Sequence, residues 1–173
     1  MRKTLIMLLV FCIVLPVGAF CSGRMGFGAD FASVQDVFWG QRSYQIAMDL
    51  RAMVSDEFQI RIPMAVSFVE TSLMIEGGIV LVYYPWRTGP FMALSVFQMG
   101  FTSQCDNLEN MVNLNEVQVG WTFEFGPGLF IEPSLAVRDP SGTFSDEYSR
   151  LKGTFPCYTT FRGKLAFGWW FWR

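Results

Sequence analysis

From Tyr44 to Val54 the chain reads YQIAMDLRAMV, and apolar side chains return at every second position. Tyr44, Ile46, Met48, Leu50, Ala52 and Val54 form one set, with Gln45, Asp49 and Arg51 between them. Period two is the repeat of a β-strand, whose side chains leave alternately from two faces. A helix would mix Asp49 and Arg51 into the apolar set instead of opposing them to it. Ser55-Asp56-Glu57 supplies turn residues, and FQIRIPMAVSF then repeats the pattern. Phe58, Ile60, Ile62, Met64, Val66 and Phe68 are apolar, and Gln59, Arg61 and Ser67 lie opposite.

The same alternation returns in NEVQVGWTFEF, where Val117, Val119, Trp121, Phe123 and Phe125 face Glu116, Gln118, Thr122 and Glu124 across the strand. Gly126-Pro127-Gly128 is a tight turn, and LFIEPSLAVR returns with Leu129, Ile131, Leu135 and Val137 opposite Glu132, Ser134 and Arg138. A hairpin centred on Pro127 sets Glu116 opposite Arg138, a favourable cross-strand pair. The last strand sets Phe161, Leu165, Phe167, Trp169 and Phe171 against Arg162 and Lys164. Ser72–Tyr84 and Pro90–Thr102 are apolar on both faces, and the second changes phase between Ser95 and Gln98, which predicts a β-bulge. Met25–Ala32 (MGFGADFA) completes a set of eight predicted strands. Its pattern is thin, so a ten-stranded arrangement is the neighbouring alternative.

Connection lengths alternate. Turns at residues 55–57, 85–89 and 126–128 are short, whereas SVQDVFWGQR, SQCDNLENMVN and DPSGTFSDEYSRLKGTFPCY are long. In an antiparallel up-and-down barrel, successive connections fall at opposite ends. The long ones therefore gather at one end, where only the turn near Val69-Glu70-Thr71 is short. Strands near ten residues with one complete apolar face suit a tilted membrane strand.

The N-terminus MRKTLIMLLVFCIVLPVGAF has a basic start at Arg2 and Lys3, a short apolar run and small residues, the order of a secretory signal peptide. A cut after Ala19 or after Cys21 fits, leaving residues 22–173 as one domain. Phe20 replaces the small residue that normally precedes a lipidated Cys, so acylation of Cys21 is the lesser reading. The full chain carries net charge −2, and loss of Arg2 and Lys3 makes the remainder more acidic. With no basic cluster, nucleic acid is excluded as a partner. Half the chain is apolar (51%), only 16% is charged, and histidine is absent. Without histidine a serine nucleophile lacks its usual base, so no enzyme activity, cofactor or metal site is expected.

These features resemble the small eight-stranded bacterial outer-membrane β-barrels, the OmpA/OmpX/OmpW-like class. The resemblance rests on the signal peptide, the alternation, the loop asymmetry and the aromatic end GKLAFGWWFWR. It departs from the class in ending on Arg173 instead of an aromatic residue. It implies an all-β transmembrane barrel in the outer membrane, with short periplasmic turns and longer extracellular loops. Its partners would be outer-membrane lipid, the barrel-insertion machinery acting on the C-terminal strand, and a ligand on the outer loops. An inward charge network would hold Asp49, Glu76, Glu116, Glu124 and Glu132 against Arg51, Arg61, Arg138, Arg162 and Lys164, five of each sign. Tyr83, Tyr84, Trp86, Phe91, Phe123, Phe125, Trp169 and Phe171 would form an aromatic girdle at the inner boundary. Cys105 and Cys157, in the two largest loops, could pair as a disulfide in that compartment. Surface contact, envelope structure or passage of small hydrophobic molecules would be the work of such a protein. The competing reading is a secreted, lipocalin-like barrel with the apolar face lining a lipid pocket and the charges in water.

Overall fold

The computed structural model describes residues 23–31, 44–69, 72–103 and 111–172. The signal-peptide assignment lies outside these residues, as do most of two of the long connections. Eight strands are present among the described residues: β1 (Met25–Asp30), β2 (Tyr44–Met53), β3 (Phe58–Val69), β4 (Ser72–Tyr83), β5 (Pro90–Ser103), β6, β7 (Leu129–Arg138) and β8 (Phe161–Trp172). Strand β6 runs in three pieces, Met111–Leu114, Glu116–Trp121 and Phe123–Phe125, interrupted at Asn115 and Thr122. One helix, α1 (Ser145–Thr154), stands between β7 and β8. No helix among the described residues is long and apolar enough to cross a membrane, which says nothing about crossing by strands.

Each strand pairs antiparallel with its neighbours in sequence, and β1 pairs with β8, so the sheet closes into a barrel. Closure pairs the strands on both sides along most of their length, while among the described residues Met111–Leu114 of β6 pairs with β5 alone and Phe123–Phe125 with β7 alone. The β6–β7 hairpin sets Glu116 opposite Arg138, the register a turn centred on Pro127 requires. Gly126 and Gly128 take positive φ (54° and 111°) in that turn, a conformation glycine adopts without strain.

The expected phase change in β5 is present. Ile79 pairs with Phe97 and Val80 with Ser95, so Val96 is the extra residue of a bulge. Val96 and Phe97 consequently both face outward. The pairing of β5 with β6 shifts at the same height, from Leu94↔Val117 to Gln98↔Leu114. There the Ser95 hydroxyl accepts the Glu116 backbone N–H at 2.6 Å.

The alternation sorts the chain inside out. Outward apolar side chains come from every strand, among them Phe27, Ile46, Val66, Ile75, Met92, Val119, Leu135 and Phe167. Buried polar side chains point inward: Gln45, Arg51, Gln59, Arg61, Ser67, Glu76, Glu132, Arg138 and Arg162. Apolar clusters occupy the two ends of the interior. At the end near the short turns, Met53, Phe130 and Trp170 pack together, as do Val82, Tyr84, Phe91 and Ala93. At the other end, Leu151 of α1 and the following Phe155, Cys157 and Tyr158 pack on Met74, Val112 and Leu114.

Candidate functional site: the charged interior

The middle of the barrel is built on Glu132, which β7 places inward and which is 1% exposed. Its carboxylate accepts Arg61 Nη1 at 2.6 Å and Arg51 Nη1 at 2.7 Å. The Thr122 hydroxyl donates to the same group at 2.9 Å. Arg51 also clamps Asp49 two residues earlier on β2, through Nε and Nη2. Arg61 donates from Nε to Gln59 and from Nη2 to the Tyr84 hydroxyl at 3.1 Å. Aromatic faces complete the two guanidiniums: Phe130 lies 4.3 Å from Arg51 and Phe91 4.8 Å from Arg61. Each buried charge is thus paired and hydrogen-bonded, the condition under which ions persist away from water.

A second layer lies toward α1. Glu116 accepts Arg138 Nε at 3.3 Å and also the Lys164 ammonium. Glu76 accepts Gln45 Nε2 at 2.6 Å and Gln98 Nε2 at 3.2 Å. Gln45 in turn accepts Arg138 Nη2 at 3.2 Å, so the amide links the two carboxylate centres. Arg138 and Arg162 both donate to the Cys157 carbonyl, at 3.2 and 2.7 Å. The Tyr158 ring lies 4.5 Å from the Arg138 guanidinium, and its hydroxyl reaches Gln45 and Ser67. Between the layers is a cavity of about 80 Å³, lined by Asp49, Arg51, Arg61, Glu116, Glu132 and Lys164 among others. That is room for a few water molecules, and its polar walls offer them partners.

Nine of the ten charges expected to face inward line this interior. Glu124 is the correction: it lies beyond the packed interior at the barrel rim, where Arg24 holds it at 3.0 Å with both side chains about one-third exposed. Two of the eight expected girdle residues are also corrected. Tyr84 and Phe91 are 4% and 2% exposed and point inward, one hydrogen-bonded to Arg61 and the other stacked on it. Alternation carries the reason: Val80 and Val82 precede Tyr84 on the inner face, and Ala93 follows Phe91 there. Tyr83, Trp86, Phe123, Phe125, Trp169 and Phe171 are exposed on the outside. The Cys105–Cys157 bridge finds no support: Cys157 is fully buried in the apolar cluster under α1, and Cys105 lies outside the described residues.

The sequence pattern sets Gln45, Gln59 and Thr122 on the polar face with the inward charges, although the expected network names only the charged residues; Tyr158 it does not single out. Tyr158 lies in a long connection and carries no periodic signal. Among the described residues no group of Cys, Asp and Glu is arranged to hold a metal ion. The arrangement is a closed eight-stranded antiparallel barrel with a salt-bridged interior and an apolar exterior. No protein-family model, curated protein or solved structure matches this chain.

Proposed function

We propose that the chain is an integral outer-membrane β-barrel whose charged interior is a structural core and whose loop-bearing end makes contacts outside the cell. The observation that carries this reading is the inverted polarity: apolar side chains project outward from all eight strands while Arg51, Arg61 and Glu132 are buried inside. Burial of apolar surface is worth about 25 cal/mol per Å². An exterior of this kind gains that energy in lipid and forgoes it in water. The outward Trp86, Trp121, Trp169 and Tyr83 fit rings that favour a lipid–water boundary.

The lipocalin-like alternative requires the opposite arrangement, with apolar residues lining a pocket and charges in solvent. Passage of small hydrophobic molecules along the barrel axis is disfavoured too. An eight-stranded barrel is only wide enough for its own side chains, and here those are ion pairs an apolar solute would have to separate. Surface interaction and envelope structure remain as the work of the protein. Outer-membrane lipid would be its surround, and β8 the strand read by the insertion machinery.

The test is to fold the chain with lipid vesicles and run it on a detergent gel with and without boiling. A heat-dependent mobility shift, with added protease cutting only in the connections, is the expected result. A chain that is monomeric and soluble without detergent, with no shift, would sink the proposal and leave the secreted lipid binder.

A further inference from the structure

We infer that residues 139–160 form a lid over one mouth of the barrel, with Tyr158 as its stopper. Three observations converge. First, the segment is tied down by side chains. Tyr148 exchanges hydrogen bonds with the Asn115 backbone at 2.9 and 3.1 Å, Glu147 accepts the Asn113 N–H, and Tyr158 reaches Gln45 and Ser67. Leu151 and Phe155 anchor it by burial on Met74, Val112 and Leu114. Its backbone bonds from Tyr148 to Phe144, Phe155 to Leu151 and Tyr158 to Phe155 lie within the segment, and its two ends are tied to the strands, Asp139 N–H donating to the Asn115 carbonyl and Arg138 N–H to the Thr160 carbonyl. Residues 140–159 can therefore lift between these fixed ends without opening a rung of the barrel ladder, which is how a local unit opens below the global unfolding limit.

Second, an open cavity already reaches in beside it. It measures about 230 Å³, is flanked by the exposed Ser145, Ser149 and Lys152 of α1, and reaches Arg138 and Tyr158. Third, that cavity and the 80 Å³ cavity of the interior are separated by one layer. Arg138 lines the outer space and Glu116 the inner one, and the two are bonded to each other. Tyr158 covers the Arg138 guanidinium and blocks the way around it. Beyond the inner cavity, the Arg51–Glu132–Arg61 group and the apolar cluster of Met53, Phe130 and Trp170 close the barrel. Lifting the lid thus opens a blind polar well and no continuous channel. Gly142, with φ of 68° and nothing within 4 Å of its would-be Cβ, gives the segment an unhindered pivot near β7.

The experiment places a reporter on the wall of the inner cavity. Ala47→Cys is introduced into the full chain with Cys12, Cys21, Cys105 and Cys157 changed to Ala, and a small water-soluble thiol reagent is applied to the folded barrel. Tyr158→Ala is expected to raise the labelling rate at least tenfold, and Leu151→Ala with Phe155→Ala to do the same. The heat-dependent gel shift verifies in every sample that the barrel itself is intact. Equal labelling with and without these changes, fast or slow, would overturn the lid. Tetraethylammonium and chloride conductance in planar bilayers is expected to stay at background in the Tyr158→Ala variant, and a steady current would overturn the blind well. The labelling works in detergent as well as in lipid, so its outcome is separable from that of the membrane assignment.

Discussion

Replacing Glu132 by Gln removes one negative charge from between two guanidiniums and alters the shape of the interior hardly at all. Arg51 retains Asp49 as a second ionic partner, whereas Glu132 is the one carboxylate within ion-pair distance of Arg61 among the described residues. The variant therefore leaves Arg61 buried, at 4% exposure, with neutral hydrogen-bond partners and the Arg51 guanidinium nearby but no carboxylate. Breaking a buried pair in this way costs about 3–5 kcal/mol. The bond from Thr122 weakens as well, by roughly 1 kcal/mol. Denaturant unfolding in lipid vesicles, followed by tryptophan fluorescence, reads the loss as a lower midpoint at unchanged slope. Adding Arg61→Met removes the stranded cation and places an apolar chain against Phe91. The double variant is expected to recover about 1–2 kcal/mol over Glu132→Gln alone, after the loss of the Gln59 bond is counted. A single variant within about 1 kcal/mol of the parent, or a double variant no better than the single, would refute an interior held by charge pairing.

The remaining expectations rest on individual contacts. Ile79 is outward on β4 beside the bulge, and Ile79→Arg should cost about 2–4 kcal/mol in lipid and close to nothing if that face meets water. A Cβ on Gly28 would stand 2.7 Å from Asp49 Oδ1 and 2.8 Å from Arg51 Nη2, so Gly28→Ala should displace the clamp and lose about 1–3 kcal/mol in the same titration. Glu124→Gln breaks the rim pair with Arg24, and being partly solvated should change stability by less than about 1 kcal/mol. Burial raises the Tyr148 phenol above its usual range. The lid is thus favoured by the neutral phenol: this contribution is complete below an unfolded-state pKa of about 10 and is lost as pH rises above it. The lid of the parent should therefore weaken more between about pH 9 and 12 than that of Tyr148→Phe, as read by the labelling rate at Ala47→Cys.

Period two makes the strands and their inner and outer faces legible, and the turn at Pro127 fixes one cross-strand pair by counting. The bulge at Val96 is legible for the same reason, since a single extra residue reverses the parity of the rest of its strand. Proximity to a turn is the misleading signal. Tyr84 and Phe91 lie near a boundary, which suggests the girdle, but the alternation runs to Phe91 at the start of β5 and on to Tyr84 just past the end of β4, and their parity puts them inside. Glu124 has inward parity yet lies past the packed interior, so it finds the rim cation Arg24 instead of a buried partner. Tyr158 is illegible because it belongs to a connection, and only the way the segment folds back brings it over Arg138.

The Arg51–Glu132–Arg61 group joins residues 81 and 71 positions apart in the chain. That separation constrains the order of assembly. Strands β2 and β3 bring two guanidiniums and one carboxylate, and the second carboxylate arrives only with β7. A growing sheet of the first three strands would present Arg61 on its inner face without the carboxylate that neutralises it. A barrel bound for lipid could not enter one hairpin at a time without keeping that face wet. For the proposed membrane barrel, closure of β1 on β8 and departure from water would then be one concerted event. Anything that receives the unfinished sheet must meanwhile supply a hydrated cradle for its concave side.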